Sequence, residues 1–399
     1  MIKVSIINIV SLSHDYIIKS FNINNMKKYL IVVFSLTFLV AAGQEIANFR
    51  PQQVASPVIS NGEVTFRIAA RESNQVRLYG SWMASPADAV NLTKNDEGVW
   101  SATINAPAPE IYTYNFVIDG VSVNDNANIF VQRDGRRFLS VLLIDGPLTT
   151  NYREANKRGN VEYVWYNSPT IGLTRRMIVY TPYGYTDSKQ DYPVLYLLHG
   201  GGGDEEAWVS MGRASQILDN LIEQGKAVPM IVVMPNGNPG QQAAQTLMLP
   251  EKTFERGDPA FANLYVNSLV KDIVPYIEKH YRVIAKPDSR AISGLSMGGG
   301  HTMAASNSNP GFFSYILPLS MGIQQNQDVD AAFQAIKKAG YKLYWVGCGS
   351  EDFLWESAKN LDATLTRNGL EHTFYVTVGG HTWSNWRIYL NTFLPLLFK

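Results

Sequence analysis

Gly294-Leu295-Ser296-Met297-Gly298, followed by Gly299 and Gly300, sets a serine between small residues. That spacing suits a hydroxyl nucleophile. A serine on a sharp strand-to-helix turn stands clear of the backbone, and a Cβ on either flank would strike the neighbouring strand or helix. Arg290-Ala291-Ile292-Ser293 reads as the strand end, and His301-Thr302-Met303-Ala304-Ala305-Ser306 as the helix that follows. A serine hydroxyl is a weak nucleophile at neutral pH and needs a base beside it. Of the six histidines, only His301, His372 and His381 come after Ser296. His301 lies in the helix behind the turn and cannot easily bring its ring back. His372 opens the strand Thr373-Phe374-Tyr375-Val376, which suits a surface or hairpin role. His381 follows Gly379-Gly380 at the carboxyl edge, where catalytic loops gather, and is assigned as the base.

In α/β-hydrolases the order along the chain is nucleophile, acid, histidine. Tyr341 to Val346 reads as a strand and Gly347-Cys348-Gly349-Ser350-Glu351-Asp352 as its loop. Asp352 and Glu351 compete for the acid. Asp352 is preferred, because the later residue has more room to turn toward His381. Its role would be to hold the imidazole tautomer and stabilise the imidazolium. The oxyanion on an ester carbonyl needs two backbone N–H donors. Met297 is expected to supply one. The other is expected from His199-Gly200-Gly201-Gly202-Gly203, with Gly201 first and Gly200 second. His199 is read as a structural residue of that loop. No Lys-Ser/Thr follows the glycines, so a phosphate loop is not indicated.

These residues need a frame. From Val161 onward, buried-strand runs such as Tyr192–Leu198 and Met230–Met234 alternate with helical stretches such as Asn267–Lys279. Such alternation predicts a mostly parallel, doubly wound α/β sheet. From Pro57 to Ile144 the texture differs. Val64–Ile68, Gln75–Tyr79, Val99–Thr103 and Tyr112–Phe116 are short strands, and Asp119-Gly120 is a hairpin-type turn, the pattern of a β-sandwich. Polar residues 147–160 suit a linker, which gives a sandwich domain over 44–146 and an α/β domain over 161–399.

Residues 26–43 begin Met-Lys-Lys, run apolar from Tyr29 to Val40 and end Ala41-Ala42-Gly43, the form of a secretory signal. The apolar run is short of the roughly 20 residues that span a bilayer. Residues 1–43 are therefore expected to be a leader with its better start at Met26, and the mature protein to be secreted or periplasmic without stable membrane insertion. Without them the chain has 30 basic and 33 acidic residues, a balance that does not attract nucleic acid. Cys348 is the only cysteine and reads as a small core thiol.

With these residues in hand, the chain resembles the esterase-D-like branch of carbohydrate esterase family one, the secreted feruloyl and acetyl-xylan esterases. The carriers include Arg175–Pro182, Leu197–Gly202, Ile273–Ile277, Tyr281-Arg282-Val283, Arg290–Gly299, and Gly380-His381-Thr382-Trp383 with Trp386-Arg387. The resemblance implies the same catalytic set, Ser296, Asp352 and His381, and no metal or organic cofactor. Residues 44–146 resemble an early-set, immunoglobulin-like module of the glycogen-branching-enzyme type. Such modules stack exposed tryptophans on sugars, which makes Trp82 the candidate; Trp100, Tyr112 and Tyr114 read as core.

The implied partner is an acylated plant polysaccharide or oligosaccharide, with feruloyl or acetyl esters of xylan as the substrate. Leu247, Met248, Leu249 and Phe254 lie in a long insertion that would floor an acyl site, and Leu249 is taken as its contact. Gly200, Trp208, Trp383 and Trp386 are further candidates to line the substrate site. Two other functions stay open: a siderophore (enterobactin-type) esterase or acyltransferase, and a glycan-binding protein with a silent esterase domain.

Overall fold

The structure is a computed structural model and describes residues 54–247 and 259–399. The predicted leader and the insertion residues Met248, Leu249 and Phe254 lie outside the described residues. No helix among the described residues is long and apolar enough to cross a membrane.

Alternating residues fold the first part into short antiparallel strands. These are β1 (Val58–Ser60), β2 (Glu63–Ala69), β3 (Val76–Gly80), β4 (Val90–Asn91) and β5 (Thr93–Lys94). They continue with β6 (Val99–Asn105), β7 (Ile111–Ile118), β8 (Val121–Val123), β9 (Val131–Asp134) and β10 (Arg137–Leu143). One sheet runs β1-β2-β6-β5; the other runs β4-β3-β7-β10-β9, with β8 paired to β7. Val64, Phe66 and Ile68 of β2 meet Val76, Leu78, Tyr114, Phe116 and Leu142 of the second sheet in one core. Trp82 packs against that core, stacked on Phe66 at 5.9 Å and edge-on to Tyr112. Its ring therefore belongs to the packing more than to a free sugar platform.

The second part is built on eight strands: β11 (Asn160–Ser168), β12 (Leu173–Thr181), β13 (Val194–Leu198), β14 (Ile231–Pro235), β15 (Arg290–Leu295), β16 (Tyr315–Leu319), β17 (Leu343–Gly349) and β18 (Thr373–Thr377). Their order is β11-β12-β14-β13-β15-β16-β17-β18, antiparallel for the first pairs and parallel from β14 onward. Parallel strands need helical crossovers that cover both faces, so they are apolar on both sides. In β13, Val194, Tyr196 and Leu198 enter one core while Leu195 and Leu197 enter the other.

The helices are α1 (Ala207–Ser210), α2 (Ala214–Glu223), α3 (Pro259–Ser268), α4 (Val274–His280), α5 (Met297–Ser308), α6 (Asp330–Ala339), α7 (Trp355–Arg367) and α8 (Trp383–Phe393). A π turn, Leu269–Ile273, joins α3 to α4. Pro275 explains it: proline lacks the N–H and its ring crowds the carbonyl one turn back, which a wider turn relieves. Within residues 147–160 most positions are exposed, but Thr149, Tyr152 and Ala155 are buried, Tyr152 in the core that α2 and α8 share. Arg387 of α8, 2% exposed, donates to Glu110 Oε1 at 3.0 Å and to the Ile111 carbonyl at 2.8 Å, and so anchors β7 to the α/β part.

Candidate active site

Ser296 sits between β15 and α5 with φ 52° and ψ −118°, a conformation L-residues seldom adopt. The flanking glycines make the turn possible. A Cβ on Gly294 would lie 2.5 Å from the Gly298 carbonyl, and one on Gly298 would lie 2.6 Å from the carbonyl oxygens of Leu198 and His199. The Ser296 N–H donates to the Leu319 carbonyl at 2.8 Å, which fixes the turn to the next strand.

His381 and Asp352 meet because their strands are neighbours. β17 and β18 are parallel and end level, with Gly349 opposite Thr377, so their loops leave side by side. The two loops are laced together: Ser350 N–H donates to the Thr377 carbonyl and Glu351 N–H to the Gly379 carbonyl. His381 Nδ1 then lies 2.9 Å from Asp352 Oδ2 and 3.0 Å from Oδ1. Glu351, the other candidate acid, is exposed; Asp352 is 4% exposed. Leu354 N–H donates to Asp352 Oδ1 at 2.9 Å. Ser320 also bonds the carboxylate, and its Oγ accepts from Trp386 Nε1 at 2.9 Å. Burial pushes the Asp352 pKa up, but the bonds from His381, Leu354 and Ser320 outweigh it and hold the carboxyl below its ordinary range.

That lowering predicts the acid limb of the reaction. An acid with a depressed folded pKa is already ionised above its ordinary value of about 3.9, and it loses its stabilising bonds only as pH falls through the lower value. Asp352 therefore stays charged down to a pH below the ordinary carboxylate range. The expected profile of log kcat/KM on a short ester falls with unit slope toward acid. A slope of two would mean that the carboxylate titrates in the same window.

Ser296, His381, Gly200, Gly201 and Trp383 open into one cavity of about 470 Å³. Gly200 packs so closely that a Cβ there would meet Leu295 Cδ1 at 2.4 Å and Ser296 Cβ at 3.3 Å. Met297 is the first residue of α5, and helix geometry leaves its N–H without an intrahelical acceptor. Behind the loop, Gly237 N–H donates to His199 Nε2 at 2.8 Å, so the ring proton sits on Nδ1 and donates to the Gly200 carbonyl at 2.8 Å. Burial lowers the pKa of His199, and both nitrogens are occupied. His199 is thus a neutral strut for the glycine loop. His301 faces Tyr265, and burial followed by the nearby His199 lowers its pKa to about 4. His372, at the amino end of β18, bonds Asp362 Oδ1 at 2.8 Å and is not among the residues that line this cavity.

The expectation for Trp208 does not hold. It is 1% exposed, its Nε1 donates to the Leu198 carbonyl, and its ring lies edge-on to Trp383 at 5.3 Å, so it supports the cavity wall from behind. Leu249 lies outside the described residues. Sequence reasoning missed the opposite wall. Tyr112, Gln132, Arg133 and Arg137 of the first, antiparallel part line the same cavity as Ser296. No local motif marks them, because their position depends on how the two parts pack.

A family model described as "Putative esterase" matches residues 168–397. The endo-1,4-beta-xylanase/feruloyl esterase of Xylanibacter ruminicola is 30% identical over 358 residues, 88% of this chain and 47% of that protein. Endo-1,4-beta-xylanase Y of Acetivibrio thermocellus is 27% identical over 258 residues, 57% of this chain and 22% of that protein. The chain thus spans less than half the length of these curated relatives. A solved ferulic acid esterase has a TM-score of 0.50 at 27% identity, covering 60% of this chain and 98% of its own. The enterobactin esterase of Shigella flexneri has a TM-score of 0.60 at 17% identity over 83% of this chain and 92% of its own, a likeness of fold.

Proposed function

The chain belongs to the Esterase family, and from that premise we propose that it is a serine carboxylic ester hydrolase acting on feruloyl or acetyl esters of plant cell-wall xylan. The observation that supports the reading most is the convergence of Ser296, His381 and the glycine loop on one cavity, with Asp352 bonded to the far nitrogen of His381.

In this reading Ser296 Oγ attacks the ester carbonyl carbon as His381 Nε2 takes its proton. The carbonyl oxygen becomes an oxyanion facing the N–H groups of Met297 and Gly201. The C–O bond to the sugar then breaks, and His381 returns the proton to the leaving oxygen. Water, deprotonated by the same imidazole, attacks the acyl-serine and releases the acid. Asp352 keeps Nδ1–H in place and stabilises the imidazolium throughout. The sandwich is read as an early-set, immunoglobulin-like module of the carbohydrate-binding kind, and residues 26–43 as the signal that sends the protein out of the cytoplasm.

The substrate is tested by assaying methyl ferulate, 4-nitrophenyl acetate and acetylated xylan side by side. Ferulate release predicts an acyl slot that takes an aromatic ring. Activity confined to the acetyl esters would assign a short pocket and a deacetylase. Silence on all of them would overturn the xylan reading and move the test to siderophore esters.

A further inference from the structure

The tip of the oxyanion loop is closed by one backbone bond of its own, from Gly203 N–H to the Gly200 carbonyl at 3.2 Å, and no side chain packs on it. A Cβ added at Gly201 or Gly202 would meet no atom within 4 Å, and both glycines are exposed. Glycine gives up more conformational freedom on ordering than any other residue, so such a tip must be fixed from its ends. His199 fixes the start through the Gly200 carbonyl. At the other end Asn238 Nδ2 donates to the Gly203 carbonyl at 3.2 Å, and the sandwich supplies the charged tie. Arg133, on β9, donates through Nη2 to Asp204 Oδ1 at 2.6 Å and through Nη1 to Asp204 Oδ2 at 2.8 Å, a bidentate pair. Its Nε donates to Glu206 Oε2 at 3.2 Å. Both members of the pair are buried, Arg133 at 8% and Asp204 at 3% exposure. Asp204 in turn accepts from Glu206 N–H at 3.0 Å, which sets the turn out of the glycine run.

The backbone adds a second tie. Arg133 N–H donates to Ser210 Oγ at 3.0 Å, and Ser210 Oγ–H donates back to the Arg133 carbonyl at 3.1 Å. At the hairpin tip between β9 and β10, Gly135 lies so close to the loop that a Cβ on it would stand 2.9 Å from the Gly202 carbonyl oxygen.

We infer that the β9–β10 hairpin is a positioning element of the reaction, with Arg133 holding the oxyanion loop through Asp204 and Gly135 seating the Gly202 peptide. The inference rests on the reading of Ser296 and the glycine loop as the reacting site. It makes the sandwich part of the catalytic unit rather than an appended binder. A buried charge left unpaired can unfold the protein, so Arg133→Lys is the first variant: it keeps the charge and loses the planar fork. Gly135→Ala is the second: it removes no partner of an ion pair, crowds the Gly202 carbonyl and, because Gly135 sits at φ 58°, also strains the hairpin tip.

Kinetics on 4-nitrophenyl acetate are normalised to sites counted by the 4-nitrophenol burst. An oxyanion donor acts in the transition state, so kcat per site is expected to fall 10- to 100-fold in each variant with KM within threefold of the parent. The rate of labelling by a fluorophosphonate, whose phosphoryl oxygen takes the oxyanion position, is expected to fall in the same proportion. A purely structural role would give fewer sites at unchanged kcat per site. Turnover per site within twofold of the parent in both variants overturns the inference. Ser296→Ala run alongside separates the two failures: activity retained there sinks the serine assignment, whereas inactivity there with normal turnover in both hairpin variants sinks only the role of the hairpin.

Discussion

Replacing Ser296 with alanine is expected to lower kcat on 4-nitrophenyl acetate by about 10⁶-fold while the protein stays folded. The change removes the only atom of the side chain beyond Cβ. The strained backbone at φ 52° is imposed by the glycines and by the bond from Ser296 N–H to Leu319, none of which involves Oγ. The thermal midpoint is therefore expected to move by no more than a few degrees. Without Oγ no acyl-enzyme forms, and the burst of 4-nitrophenol disappears with the steady-state rate. The oxyanion donors and the cavity remain, so a residue of about 10³- to 10⁴-fold over the uncatalysed reaction is expected to persist. A folded Ser296→Ala protein that turned over within a hundredfold of the parent would remove Ser296 from the chemistry.

How much of this was legible beforehand differs from feature to feature. The Gly294–Gly298 turn was readable because its requirement is local: the collision that a Cβ would cause is with residues close in the motif and on the adjacent strand. His381 and Asp352 could be placed because strand order in a parallel sheet brings successive carboxyl-end loops together. Which of Glu351 and Asp352 turns toward His381 depends on the loop's path, and with that loop laced to Gly379 it is Asp352 that bonds the ring. Trp208 was misread for a related reason. Its spacing from the glycine loop suggests the site, but α1 directs its ring inward, where the Leu198 carbonyl takes its N–H. Trp82 likewise turns onto Phe66. The wall supplied by the first, antiparallel part was invisible, since Arg133 and Asp204 are 71 residues apart and no periodicity links them.

The pairing of Asp352 with His381 sets the second large effect. Asp352→Asn is expected to reduce kcat/KM by about 10³- to 10⁴-fold at neutral pH, with little change in KM. Leu354 N–H donates to Oδ1, so in the variant it selects the amide oxygen for that position. The amide NH₂ then takes the place of Oδ2, at 2.9 Å from His381 Nδ1. Two donors cannot face each other, so the imidazole moves its proton to Nε2, the nitrogen that must be bare to accept from Ser296. The Ser320 hydroxyl, held by Trp386 Nε1, adds to the mismatch by losing an anionic acceptor. At alkaline pH the loss is expected to shrink, because hydroxide can then take the serine proton without the imidazole. An Asp352→Asn enzyme within tenfold of the parent at neutral pH would mean that the carboxylate only packs against the ring. A comparable loss in Ser320→Ala would instead place the orienting force one bond further back.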